Sequence, residues 1–448
     1  MSFRPEALLT QIQARFGSRL PERWCVALSA GLDSTVALHS LSRILVPAAG
    51  RQLRALHVHH GLYPDADTWT EAARANAKIL GCSFQVLRVS VKRTGGQSPE
   101  ECARRARYQA LAGALLPGEI LVTGHHQDDQ LETVMLQLMR GAGVAGLAGM
   151  PVLASLGPGQ HYRPLLDYPR EALLAWAQNE ALEWIEEPSN QDLRFDRNYL
   201  RHQVLPMLKQ RWPAAARAAT RSARYCAQAQ DLLTHLAAQD LLHCAEGNEL
   251  LVPGLLGLDS ARLANLLRHW VTLRGLPTPP AHVLELVRDQ VLDAREQALP
   301  CLAWKGGEIR RYRDRLFALD GVPDAPSGVV PWSGDTPLDL PGGLGQLSLV
   351  STQGTGLDEN ALRHGQMEIR FRQGGECLRL VGREGSRGLR ELFQEYGVLP
   401  WIRGHIPLLY VDGRLAAVGT LWVDQAFAAI EGQPALSLCW EGGPRLLL

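Results

Sequence analysis

The chain reads as an α/β protein: an N-terminal parallel sheet with helices on both faces, followed by a helical middle domain and a small α+β C-terminal domain. Three observations carry this reading. Short apolar runs of strand length alternate with segments of helical period over roughly the first 200 residues. A small, polar, glycine-bearing loop follows the first of those runs directly. A stretch rich in Gly, Pro, Ser and Asp, residues 320–345, sets the last hundred residues apart.

Taken in order, residues 5–17 have the spacing of a short amphipathic helix. Residues 25–28 form a strand, 29–34 a tight loop, and the apolar spacing from Thr35 to about Val46 a helix. Residues 53–58, 84–89 and 120–122 are the next strands, separated by helical patterns at 68–80 and 99–115. A further helix runs to Met139, and another covers 170–179. Such alternation predicts a parallel sheet covered on both faces. Ligands of such sheets bind at the carboxyl ends of the strands, so the polar clusters 29–34, 59–61 and 124–132 are expected to converge. Beyond them, 215–242 and 260–292 are helical, and 310–317 ends in a short strand. Residues 367–372, 408–411 and 416–418 are strands of the last domain. The expected domains are 1–215, 216–320 and 346–448, with a linker at 321–345.

Lys plus Arg balance Asp plus Glu at 46 each, so overall charge does not mark a nucleic-acid binder. The window 194–224 does: it holds eight basic residues against one acid, Asp196. No apolar run approaches the roughly 20 residues of a membrane span, and the start lacks a signal-peptide pattern. A soluble, cytoplasmic protein with no membrane partner is expected. The eight cysteines include no C-x-x-C pair, which argues against zinc knuckles, iron–sulfur sites and a secreted disulfide framework.

The loop 29–34 would aim successive backbone N–H groups into one concavity at a helix N-terminus, which suits a phosphate; Asp33 could hold Mg²⁺ against it. A plain Ser-Asp-Ser helix cap explains the same residues. Asp128, Asp129 and Glu132 share a helix start at spacings that put them on one face, where they could seat a metal or an ammonium group; an acidic first turn is the simpler account. Arg104, Arg105 and Arg107 lie on different faces of one helix, and one arginine directed at the cradle would neutralise a phosphate. Residues 140–149 hold four glycines and form a loop or a close-packed turn.

The segment Ser29-Ala-Gly-Leu-Asp-Ser34 resembles the S-G-G-x-D-S loop of the ATP-pyrophosphatase (PP-loop) superfamily. With 57–62, Glu100, Arg104, Arg107-Tyr108, 124–133, 138–150, Pro188-Ser-Asn190, Arg197-Asn198, 371–376, Gly382-Arg383, 392–395 and 400–403, the chain is similar to the tRNA(Ile)-lysidine synthetases from about residue 22 to 420. That resemblance implies a two-step reaction. ATP adenylates the C2 oxygen of the wobble cytidine in the CAU-anticodon isoleucine tRNA, and the ε-amine of L-lysine then displaces AMP to give lysidine. It assigns ATP to Ser29, Ala30, Gly31, Leu32, Asp33, Ser34 and His59, and Mg²⁺ to Asp33. Arg104 would meet the α-phosphate or adenylate, while Asp128, Asp129 and Glu132 would bind lysine. His125 and His126 are candidates for the base that takes its proton, and Arg197, Arg201, Arg383, Arg387, Arg390 and Arg403 are assigned to tRNA. It also implies a homodimer.

Three departures stand out. Ala30 replaces the first loop glycine, at a cost of about 1–2 kcal/mol if φ there is positive; Glu187 replaces the aspartate usual before Pro-Ser-Asn, and Arg390 a common lysine. The alternatives are another adenylating tRNA-modifying enzyme of the superfamily, such as a thiolating one, for which paired cysteines are missing, or a catalytically impaired nucleotide-dependent tRNA-binding protein.

Overall fold

A computed structural model describes residues 2–45, 51–61, 65–90, 99–186, 192–295, 298–363, 365–444 and 446–447. Leu62, Glu187 and Pro188-Ser-Asn190, singled out above, lie outside the described residues. The chain divides into two compact units, Met1–Leu233 and Thr234–Leu448.

The first unit opens with helix α1 (Pro5–Phe16) and continues through β1 (Arg23–Ala27), α2 (Leu32–Leu45), β2 (Gln52–His59), α3 (Ala66–Ile79), β3 (Ser83–Arg88), α4 (Pro99–Ala114) and β4 (Ile120–Val122). Then come α5 (Gln127–Met139), the single turn α6 (Val144–Leu147), β5 (Leu153–Leu156), β6 (Gly159–Tyr162) and α7 (Arg170–Asn179). The sheet order is β3-β2-β1-β4-β6-β5. β1 pairs in parallel with β2 on one side and β4 on the other, and only β5 runs antiparallel to its neighbour. The period-2 alternation of β1 explains why a nearly continuous apolar run is needed there. Trp24, Val26 and Leu28 enter the core that also holds Leu8, Val36 and Leu173, whereas Cys25 and Ala27 pack with Leu56, Leu111 and Leu121 on the other face. The strand order reverses between β1 and β4, so the segments leaving β1, β2 and β4 open onto the same edge.

The β5–β6 hairpin was not foreseen. Its strands are four residues each, only the first of them mainly apolar, and the turn between them is Gly157-Pro158, a punctuation signal.

The second unit holds two layers of architecture. Strands Ala245–Glu246, Glu249–Leu251, Arg315–Leu319, Gly307–Tyr312 and Cys301–Trp304 form an antiparallel sheet in that spatial order. Helices Ser260–Leu273 and Ala281–Leu286 pack on its core through Leu266, Leu267, Trp270, Leu284, Ile309 and Leu316. The middle region is therefore helical with an antiparallel sheet, most of whose strands are too short to register as a period in the sequence. Next, Met367–Arg370, Leu408–Val411 and Arg414–Val418 are the centre of a five-stranded sheet, and Gln346–Gln353 pairs along its length with Pro434–Glu441 in a four-stranded one. The two sheets share a core that includes Leu347, Ile369, Leu409, Ala417 and Leu438. Within 321–345, the stretch with linker composition, Val329–Pro331 and Leu338–Asp339 pair as edge strands of these sheets.

Among the described residues no helix is long and apolar enough to cross a membrane.

Candidate active site

Leaving β1, the chain makes a loop closed on itself by its two serines. The Ser34 hydroxyl donates to the Gly31 carbonyl (3.0 Å) and accepts from the Ser29 N–H (3.2 Å). The Ser29 oxygen lies 3.1 Å from Ser34 Oγ and accepts from Gly31 N–H. Ala30 sits between them at φ 68°, in the left-handed region, with its methyl buried. Its carbonyl accepts from Ile185 N–H (2.9 Å). The positive φ raised as a condition in the sequence is present, and an alanine there carries about 1–2 kcal/mol of backbone strain that glycine would not. Leu32 and Asp33 begin α2, and Asp33 Oδ1 is buried with no hydrogen-bond partner.

The segment leaving β4 is pressed against this loop. A Cβ on Gly124 would lie 2.5 Å from the Asp33 carbonyl carbon and oxygen and 2.9 Å from Ser34 N, so only a glycine admits this approach. His126 follows as the N-cap of α5, accepting from Asp129 N–H on Nδ1 while its own N–H donates to Asp129 Oδ2 (3.0 Å). Its Nε2 stands 3.5 Å from Asp33 Oδ2 and 3.4 Å from Asp129 Oδ2. Burial alone would depress the His126 pKa, but the carboxylates of Asp129, Asp33 and Asp128 outweigh it and push it up to about 9. Protonation comes at the expense of the bond that Nδ1 accepts.

The three acids of α5 part company. Asp129 and Glu132 face two arginines one helical turn apart in the helical segment 196–211. Arg197 Nε donates to Glu132 Oε2 (2.7 Å), and Arg201 donates to Glu132 Oε1 (2.7 Å) and Asp129 Oδ1 (2.9 Å). That segment widens to a π-helix over Leu200–Val204, a distortion often found at functional sites. Buried Asp129 is held well below the usual carboxylate range by His126, Arg197 and Arg201 despite its desolvation. Asp128 points elsewhere, to Lys209 and to the N-terminus of α7, where Arg170 N–H donates to Oδ2 (3.1 Å). Among the described residues, no group of three His, Cys, Asp or Glu side chains is set to hold a metal by itself.

Beside the loop, Ser29, His57, His59, His60, Trp69 and Arg107 line a cavity of about 110 Å³. His57 donates from Nδ1 to Leu28 O (2.8 Å), and His59 Nε2 lies 3.2 Å from Asp67. Burial and Arg107 push the His60 pKa down to about 4, so it is neutral at physiological pH. Of the three arginines of α4, Arg107 is the one lining this cavity, whereas Arg104 is exposed with its guanidinium over the Tyr108 ring (5.7 Å). Arg107 was one of three candidate arginines and His60 lay in the 59–61 cluster, whereas His57, near the end of β2, and Trp69, on α3, were not singled out as ligand residues from the sequence.

In the second unit, Arg383 and Arg387 are exposed and share Glu395 at 2.8 and 3.0 Å, and Arg390 is exposed. Arg403 is turned inward, donating to the carbonyl of Val398 (3.0 Å) and toward Tyr312 Oη (3.3 Å).

A parallel sheet with a serine-bracketed loop after its first strand, against which the β4 loop is packed, defines a PP-loop nucleotide-binding unit, and residues 5–208 match the PP-loop domain family. Residues 250–317 match the TilS substrate binding domain, and 367–440 the TilS substrate C-terminal domain. The chain is 43% identical to the tRNA(Ile)-lysidine synthase of Methylococcus capsulatus over 93% of its own length and 95% of that protein. It is likewise 43% identical to that of Alkalilimnicola ehrlichii, over 94% of each. With the enzyme of the same name from Coxiella burnetii it shares 39% identity over 95% of this chain and 94% of the other. The chain belongs to the tRNA(Ile)-lysidine synthase family.

Two predictions follow from the loop contacts. Ala30→Gly removes the strain but adds chain freedom to the unfolded state, so stability rises by about 1 kcal/mol or less; the KM for ATP falls by up to about tenfold. Equal ATP kinetics in the two proteins would show that the packing around Ala30 already holds the loop fully in place. Gly124→Ala drives a methyl into the Asp33–Ser34 peptide, and AMP formation is lost together with about 1–3 kcal/mol of thermal stability; unchanged turnover would refute the close approach.

Proposed function

We propose that this chain ligates L-lysine to C2 of the wobble cytidine in the CAU-anticodon isoleucine tRNA, through an adenylated cytidine, releasing pyrophosphate and AMP. The observation that carries this reading is the bridging position of His126. One imidazole lies within 3.5 Å of both the phosphate-loop carboxylate Asp33 and the acid-pair carboxylate Asp129. Activation of the base and attack by the amine can thus occur side by side without the intermediate leaving.

Ser29, Ala30, Gly31, Leu32 and Ser34 shape the cradle for the pyrophosphate of ATP, with His59 and Arg107 beside it. The unpartnered Asp33 Oδ1 is of the right chemistry for Mg²⁺, which takes one or two protein carboxylates and completes its shell with phosphate and water. Bound there, Mg²⁺ would supply charge compensation for the departing pyrophosphate. Asp129 and Glu132 bind the lysine ammonium, with Arg197 and Arg201 orienting the two carboxylates. Asp129, held so far below the usual range, is a binding group and a poor base. Asp128, tied to Lys209 and α7, fixes the start of α5 from its far side.

Arg383, Arg387 and Arg390 offer exposed positive charge for phosphate contacts, which weaken steeply with salt. Arg403, spent on backbone carbonyls and Tyr312, supports the local fold beneath them. The target cytidine must leave the anticodon stack to reach the sheet edge.

The test is AMP formation from ATP by the purified protein with and without L-lysine and an unmodified CAU-anticodon transcript. AMP is expected only with both, together with lysine label on the tRNA. Tight tRNA binding without AMP would overturn the reading in favour of a binding-only protein. Asp129→Asn should raise the KM for lysine at least about tenfold while pyrophosphate release with tRNA alone persists. Equal loss of both steps would refute a lysine-specific role.

A further inference from the structure

Behind the acid pair lies a chain of four polar side chains outside the cradle. β4 and β6 are parallel neighbours in the register Leu121↔His161 and Val122↔Tyr162, and Thr123 N–H continues the ladder to Tyr162 O. With the strand period of two, positions 121, 123, 161 and 163 share one face. On that face Arg163 Nη2 lies 2.9 Å from His161 Nδ1, His161 Nε2 lies 2.8 Å from Thr123 Oγ1, and Thr123 Oγ1 lies 2.6 Å from His125 Nδ1. Thr123, His161 and Arg163 are buried, whereas His125 is half-buried where the chain leaves β4.

The direction of the protons in this chain follows from its first member together with the pairing of buried hydrogens. A guanidinium has donors and no acceptor, so His161 Nδ1 must accept. A neutral His161 then carries its proton on Nε2 and donates to Thr123 Oγ1. The threonine oxygen could accept twice, but its only partners among the described residues are His161 and His125, so the one arrangement that leaves no buried O–H unpaired sends its single proton to His125 Nδ1. His125 Nδ1 therefore accepts, and the remaining proton of a neutral His125 sits on Nε2.

We propose that Arg163, His161 and Thr123 are positioning residues that form a one-way hydrogen-bond relay, fixing His125 as its Nε2–H tautomer. His125 then meets the bound substrates as a neutral hydrogen-bond donor and is not the base that takes the lysine proton. The functional half of this inference rests on the lysidine-forming reading above; the tautomer itself does not. The surrounding charges agree with a neutral pair of imidazoles. Burial is the largest influence on both rings. For His125, Asp129 on α5 opposes burial, whereas Arg163 on the β6 side, Arg107 on α4 and Arg197 add to it, and its pKa lies well below the ordinary value. For His161, burial with Arg163, Arg107 and Arg104 brings the pKa to about 3. The Tyr108 ring, 5.6 Å from His161, closes the other side. A donor of fixed tautomer suits oxygens that gain charge as AMP departs, and it needs no reorganisation at that moment.

The direct test is nitrogen NMR of the full-length protein labelled at histidine, with His125 assigned by the spectrum of His125→Gln. At neutral pH the wild type and Thr123→Ser are expected to show His125 protonated on Nε2 and bare on Nδ1, whereas Thr123→Val shows a mixture of tautomers. A wild-type His125 protonated on Nδ1, or on both nitrogens, overturns the relay, and that reading needs only the assignment variant His125→Gln to fold. The functional half is read from single-turnover lysine transfer. His125→Gln, which keeps an N–H near the Nε2 position but cannot take a proton, is expected to retain the rate within about tenfold, and His125→Ala to lose about 10²-fold. Thr123→Val should lower kcat by about tenfold with KM for ATP and lysine nearly unchanged, and Thr123→Ser should restore it. Equal, complete loss in His125→Gln and His125→Ala would make His125 the base and refute the proposal. Full activity in both, with the predicted tautomer in the spectrum, would refute the donor role and leave the relay intact. Absence of any lysine transfer in the wild type would instead refute the lysidine-forming reading, with the tautomer assignment still decided by the spectrum.

Discussion

The contact on which the site depends is a backbone one: Gly124, leaving β4, lies against the Asp33–Ser34 peptide at the start of α2. No side chain mediates it, which is why it can be closer than any Cβ would allow. It brings the N-termini of two helices to one edge of the sheet, so the positive ends of both dipoles act on the same small volume. His126, two residues further on, spans the remaining gap to both Asp33 and Asp129. The loop after β1 and the acid pair of α5 share an address because two strand ends have been brought into van der Waals contact.

The electrostatics around that contact are arranged in pairs. Asp129 and Glu132 are buried, and carboxylates so placed must be compensated or they neutralise. Arg197 and Arg201 supply the compensation from a helical segment that widens to a π-turn where the second arginine is needed. On the proposed lysine-binding role, an ammonium approaching this pair meets carboxylates already oriented by two guanidinium groups. On the same proposal, selectivity for a long cationic side chain would come from competition among donors for four carboxylate oxygens.

Much of this was legible in the sequence, and the boundary between what was and what was not is physical. The strands β1 to β4 and the helices between them follow from local hydrophobic period, and the convergence of the clusters at 29–34, 59–61 and 124–132 follows from parallel topology. The β5–β6 hairpin and the sheet of the middle region escaped because mostly short strands carry little period. Within the basic window 194–224, Arg197 and Arg201 have acidic partners that lie 65–72 positions away in the chain, so local charge counting could not see them. The strain at Ala30 was stated as a condition on φ, and only the backbone could meet it. The relay to His125 needs the register of β4 against β6, which no local signal encodes.

The central claim is that activation and transfer occur in succession at one site, beneath one imidazole. The measurement that tests it most directly is a single-turnover chase. Enzyme, ATP and tRNA are mixed without lysine, free ATP is removed, and lysine is added. The account predicts a burst of one pyrophosphate per site before the chase, then AMP and lysidine in equal amount after it, with no further ATP. AMP appearing only when ATP is supplied again, or lysidine forming without a prior pyrophosphate burst, would contradict it.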